Sequence, residues 1–92
     1  MYRILPYTRK QAKRLGVFVR PSRIKTKKID VLDKSGKVLA SVGAAGMNDF
    51  PTFIRKKGLA FAKTRRRLYK MRHEKDRHVR NSAGFFADQL LW

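Results

Sequence analysis

The stretch "KKIDVLDKSGKVLASVG", residues 27–43, constrains the fold more than any other part of the chain. Ile29 and Val31 alternate with Asp30 and Leu32. Val38, Ala40 and Val42 alternate with Leu39 and Ser41. Between the two runs lies "DKSGK", a turn with Gly36 placed for a positive φ. The period of two and the turn predict a β-hairpin of about 28–33 and 37–42. Leu32 and Leu39 break strict polar alternation, so both faces of the hairpin are expected to be partly covered.

The flanking segments read mostly as helices. In "TRKQAKRLG", Thr8 and Gln11 are spaced as a capping box and Gly16 follows as a stop. Its apolar residues are Ala12 and Leu15, with Tyr7 just outside, and Arg9, Lys10, Lys13 and Arg14 fill the remainder. Val17 to Val19 form a short strand stopped by Pro21. "GAAGMNDFPTF" has neither the GK[ST] ending nor the spacing of a phosphate-cradling loop. It reads as a plain connection to a helix, capped by Asp49 or Thr52 with Pro51 in its first turn. "PTFIRKKG" is that short helix, ended by Gly58.

From Leu59 to about Asp76 no Gly or Pro occurs. Phe61, Leu68 and Met71 fall at i, i+7 and i+10 and predict a narrow core-facing stripe, extended by Leu59, Ala60 and Ala62. Arg65, Tyr69, Arg72 and Asp76 form an adjacent stripe. Lys63, Arg66, Arg67 and Lys70 share the opposite side. Lys70–Glu74 and Arg72–Asp76 are spaced as helix ion pairs. In "HVRNSAGFFADQLLW", Asn81 or Ser82 caps a last helix whose apolar content is Phe85, Phe86, Leu90, Leu91 and Trp92. So apolar a segment is expected to fold back on the hairpin and the long helix. The alternative is insertion into a neighbouring protein.

The predicted class is α+β. A β-hairpin or three-stranded antiparallel sheet packs on a long basic amphipathic helix, with short flanking helices. One domain covers 1–92. It comprises a basic N-terminal helical arm (1–16), a hairpin region (17–43) and a helical region (49–92).

Charge sets the function classes. Twenty-four Lys and Arg stand against six Asp and Glu, a formal +18 in 92 residues. The chain is nevertheless 42% hydrophobic, too rich for a disordered basic tail. A compact body with this charge repels itself and calls for an anionic partner. Nucleic acid leads, an acidic protein surface is second and an anionic membrane surface third. No apolar run approaches the roughly 20 residues of a membrane span. "MYRILPYTRK" lacks the pattern of a secretory signal, and Leu5-Pro6 interrupts a presequence helix. There is no cysteine, which removes disulfides, thiolate catalysis and the common zinc motifs. His73 and His78 are the only histidines, and neither a metal site nor a cofactor is expected.

The segment "RRRLYKMRHEKDRHVRNSAGFFADQLLW" resembles a C-terminal signature of small basic proteins of large eukaryotic DNA viruses, including chlorella-virus-like and mimivirus-like groups. The matching parts are Arg66 and Tyr69, Arg72-His73, Asp76, Ser82-Ala83-Gly84-Phe85 and Leu90-Leu91-Trp92. "YTRKQAKRLGV", "RPS", "KKIDVLDKSGKVLASVGAAGMNDFPTFI" and "KGLAFAKTRRRLY" are similar to one branch of these proteins. The likeness thus spans nearly the whole chain. It implies a viral origin and a virion component, found in the virion and inside the host cell during assembly. It carries over no catalytic residue.

Two function classes follow. The first is a non-enzymatic structural component of a large DNA virus particle, a minor capsid or internal virion protein. Its basic faces would bind acidic capsid surfaces or nucleic acid. The second is a free non-specific nucleic-acid-binding or condensing protein, or a ribosomal-type protein. In either, the expected polyanion contacts are Lys63, Arg66, Arg67 and Lys70, widened by Arg55, Lys56 and Lys57 and by Lys25, Lys27 and Lys28. Phe85, Phe86, Leu90, Leu91 and Trp92 are the expected structural or partner contacts. A nuclease would want clustered carboxylates, whereas Asp30, Asp33 and Asp49 are scattered over turn and cap positions. Arg65, Tyr69, Arg72 and His73 imitate a phosphodiester-handling site but lack a supporting constellation. "RHEKD" is not a metalloprotease helix.

Overall fold

The hairpin forms and gains a third strand. The computed structural model describes residues 2–92. β1 (Phe18–Pro21), β2 (Lys27–Leu32) and β3 (Val38–Ala44) make an antiparallel sheet in that order. Val31 faces Val19 on one side and Ala40 on the other, while Ile29 faces Val42. These residues share one face of the pleat, and Ile29, Val31 and Val42 are essentially fully buried. The break in alternation at Leu32 and Leu39 has a local cause. The β2–β3 register slips between Val31 and Leu32, so Ala40 and Val38 find partners and Leu39 is left out, 40% exposed. Gly36 takes φ +87° in the turn, where Asp33 accepts from the backbone of Ser35 and Lys37.

Four helices complete the α+β fold: α1 (Pro6–Leu15), α2 (Phe50–Lys57), α3 (Leu59–Arg72) and α4 (Ala83–Leu91). The buried face of the sheet is covered by α4. Phe86, Leu90 and Leu91 join Ile29, Val31 and Val42 in one core with Ile4 and Ala12. Burying each of the large side chains contributes about 1.5–3 kcal/mol. The C-terminal segment therefore folds back, as its composition demanded. It is α4, rather than the long basic helix, that packs on β3, and α3 packs chiefly on α2.

Two caps are as expected. Asp49 accepts from the Thr52 amide at the start of α2, and Ser82 accepts from the Phe85 amide at the start of α4. The third is not. α1 begins at Pro6, three residues earlier than the Thr8–Gln11 box requires, and has no side-chain cap. Pro6 suits a first helical position because its missing amide hydrogen has no partner there anyway. Thr8 lies within the first turn, fully buried, and its hydroxyl donates to the Leu90 carbonyl at 2.8 Å. It thereby satisfies one of the free carbonyls in the last turn of α4.

The largest departure concerns α3. It stops at Arg72 rather than near Asp76, and turns occupy residues 73–82. The predicted core stripe faces outward: Phe61 is 44%, Leu68 45% and Met71 68% exposed. Ala62, Arg66 and Tyr69 face inward instead, a rotation of roughly 140° at 100° per residue. The Tyr69 ring stacks on Trp92 at 4.4 Å and 8°, and the Arg66 guanidinium lies 4.0 Å over the Phe50 ring. Flat rings bury more area than Leu or Met and decide the orientation. The i,i+4 pairs are also redirected. Lys70 binds Asp88 at 2.7 Å, Glu74 binds Arg77 and His78, and Asp76 lies 3.7 Å from His73.

Gly43 tests the seating of α4 on the sheet. It has φ +83°, and an added Cβ would lie 2.7 Å from Leu91 Cδ1. Gly16 has φ +75° with open space around it. Gly16→Ala should therefore lower stability by about 1 kcal/mol through backbone strain alone. Gly43→Ala should lower it by about 2–4 kcal/mol, because overpacking adds to the same strain. Urea midpoints measure both, and equal losses would mean that Leu91 does not sit against Gly43.

Candidate polyanion-binding surface

The surface charge follows from where the six carboxylates go. Three are buried. Asp30, 3% exposed, points to the sheet face opposite Val31 and accepts from Ser22 at 2.6 Å, Ser41 at 2.7 Å and Arg20 at 3.2 Å. Burial alone would raise its pKa, but these donors outweigh it and hold the carboxyl down at about 2. Asp49 receives Lys28 at 3.0 Å and the Tyr2 hydroxyl at 2.6 Å besides capping α2. Burial opposes its charge too, yet the donors from Thr52, Tyr2 and Lys28 keep it below the usual range. Burial, with Asp49 behind it, pushes the Tyr2 hydroxyl well up, so Tyr2 remains a donor. Asp88, 1% exposed, holds Lys70 at 2.7 Å and Arg77 at 3.8 Å. Asp33 is occupied by its turn, Glu74 by Arg77 and His78, and Asp76 faces His73.

Little is left to neutralise the exterior: of the three carboxylates that are not buried, Asp33 serves its turn, Glu74 pairs with Arg77, and Asp76 lies beside His73. Among the described residues four cations of the 24 reach one, namely Arg20, Lys28, Lys70 and Arg77. Twenty do not. The four contacts expected on the long helix do come together. Lys63, Arg66, Arg67 and Lys70 line an open groove along α3, joined by Arg77 and Met71, with Glu74 as its one acid. Their roles divide. Lys63 and Arg67 are exposed without internal partners, whereas Arg66 and Lys70 also hold the fold through Phe50 and Asp88.

The remaining expected contacts lie elsewhere. Arg55, Lys56 and Lys57 are exposed in the last turn of α2, where cations suit the helix dipole. Arg55 and Lys56 share a cleft with Arg3. Lys25 and Lys27 are exposed between β1 and the start of β2. Lys28 does not belong with them: it is 4% exposed, and its ammonium is held by Asp49 beneath the Tyr2 ring. Of the apolar set, Phe86, Leu90 and Leu91 are core residues, and Phe85 and Trp92 are half-buried against them.

Two residues central to this arrangement escaped sequence reasoning. Asp88 had a signal, being the one acid in a mostly apolar terminal helix. Tyr2 had none, since its partner lies 47 residues away. Among the described residues no helix is long and apolar enough to cross a membrane, and no three His, Asp or Glu cluster to hold a metal. Comparison with protein-family models, with curated proteins and with solved structures finds no match to this chain.

Acid should expose the Asp30 network. Its folded pKa is about 2 against an ordinary 3.8, so the unfolded chain takes up the proton first. Its stabilisation is therefore present above pH 4 and lost as pH falls towards 2. Thermal midpoints should drop across that window, and Asp30→Asn should flatten the drop. An equally steep profile in the variant would remove Asp30 as its source.

Proposed function

We propose that this chain is a non-enzymatic structural protein that binds nucleic acid through phosphate contacts, with the α3 groove as its principal surface. The observation that carries this reading is that three of the six carboxylates are buried and the other three are held locally, which leaves twenty cations without an acidic partner. Lys63 to Lys70 span about 10 Å of helix, and a duplex presents one charge per roughly 1.7 Å of axis. The groove can therefore meet several phosphates at once. Nothing in it distinguishes one base from another, so the binding is non-specific. The setting we propose is the particle of a large DNA virus, on the strength of the sequence likeness at Tyr69, Arg72-His73 and Leu90-Leu91-Trp92. Detection of the chain in nuclease-treated, salt-washed particles tests the setting.

Salt titration tests the binding. With six to eight phosphate contacts, log K should fall against log salt with a slope of roughly −5 to −7. Lys63→Ala with Arg67→Ala should make the slope shallower by about 2 and weaken binding alike on all sequences. Neither side chain has an internal partner, so folding should be unchanged. A flat salt response, or a double variant that binds as well as the parent, would overturn the reading in favour of an acidic protein surface.

A further inference from the structure

A second cleft lies on another side of α3, and its chemistry differs from that of the groove. It opens between the β3–α2 connection and the end of α4, with a volume of about 510 Å³, within the roughly 300–1,000 Å³ of small-ligand sites. Four rings stand in its walls beside smaller apolar residues such as Ala44, Met47 and Ala87. Trp92, Tyr69 and His73 form a continuous stack, with Tyr69 4.4 Å from each neighbour and tilted 8° to Trp92 and 29° to His73. Phe53 closes the far side, 6.1 Å from Trp92. Two arginines stand at the rim. Arg65 lies 5.6 Å over the Phe53 ring. Arg72 is exposed and engages no carboxylate or other side-chain partner among the described residues. Among the described residues no acid lines the cleft.

We infer that this cleft takes an unpaired nucleobase of a single strand, the base extending the aromatic wall and Arg72 and Arg65 meeting the adjoining phosphates. A phosphate alone would use the arginines but not the ring faces, and a neutral apolar ligand the ring faces but not the arginines. A planar aromatic group attached to an anion uses both. Paired bases are closed to such a site because they are stacked inside the duplex, whereas unpaired bases stack freely on protein aromatics. Residues 65, 69 and 72 share one face of α3, and 63, 67 and 70 share another. One helix thus offers a base platform on one side and a phosphate surface on the other. This inference builds on the proposed phosphate binding and adds to it a preference for single strands.

Trp92 is the only tryptophan, so its emission reports on the cleft directly. The full chain is titrated at one low salt concentration with three probes of equal length: random single-stranded DNA, an abasic single strand and duplex DNA. Anisotropy of labelled probe gives affinity while Trp92 emission gives occupancy of the cleft. The expected result is strong quenching by the base-bearing strand alone, with affinity about tenfold above the abasic strand for one stacked base. Arg72→Ala should weaken the base-bearing and abasic strands alike, whereas His73→Ala, which removes one ring of the stack, should bring the two affinities together. If all three probes bind without quenching and the base-bearing strand has no advantage, the cleft inference falls while phosphate binding stands. If no probe binds, both fall.

Discussion

The arrangement depends on Asp88. It is a carboxylate buried at 1% exposure in the apolar helix that covers the sheet, and burying it alone would be costly. It persists because Lys70 reaches it from α3 and Arg77 from the following turns. Such a pair adds little net stability over an apolar replacement, but losing one partner costs about 3–5 kcal/mol. Its effect is therefore on geometry: it fixes the rotation of α3. With Tyr69 stacked on Trp92 on the other side of the helix, Lys63 and Arg67 face out.

The elements were largely legible, and the reasons are local. Alternation and a glycine turn specified the hairpin, and Asp49 and Ser82 announced two helix starts. The apolar C-terminal run required burial. What failed was non-local. Thr8 and Gln11 carry a capping pattern, but α1 starts upstream at Pro6, so Thr8 lies inside the helix and its hydroxyl serves the Leu90 carbonyl, 82 residues away. Phe61, Leu68 and Met71 had the spacing of a core stripe, but a stripe of three is outweighed by one ring stack and one buried ion pair. Lys28 looked like part of a surface cluster because Lys25 and Lys27 are, and nothing nearby in sequence marks its pairing with Asp49. The groove was legible as a helix face, since 63, 66, 67 and 70 lie together on any helix. The aromatic cleft was not, because Phe53, Tyr69 and Trp92 come from three separate elements.

The same competition explains why the exterior carries so much unrelieved charge. Lys63 and Arg67 are like charges at i,i+4, as are Arg66 and Lys70, and each such pair opposes the helix by a few tenths of a kcal/mol, about 0.2–0.5. α3 also leaves Phe61, Leu68 and Met71 in water. Judged by local rules alone, this segment is poorly suited to the helix it forms, and tertiary contacts on its inner face hold it there. Departures of this kind are expected where a surface is used rather than merely solvated. The charge itself strengthens the point. A Cα radius of gyration of 12.5 Å places twenty unpaired cations within little more than one screening length of their neighbours, about 8 Å at physiological salt. Repulsion at that range is only partly screened. A polyanion that binds the folded chain in preference to the unfolded one removes it and stabilises the fold by mass action. Folding and the binding of such a polyanion would then be one equilibrium, because the charges that strain α3 are the charges it would neutralise.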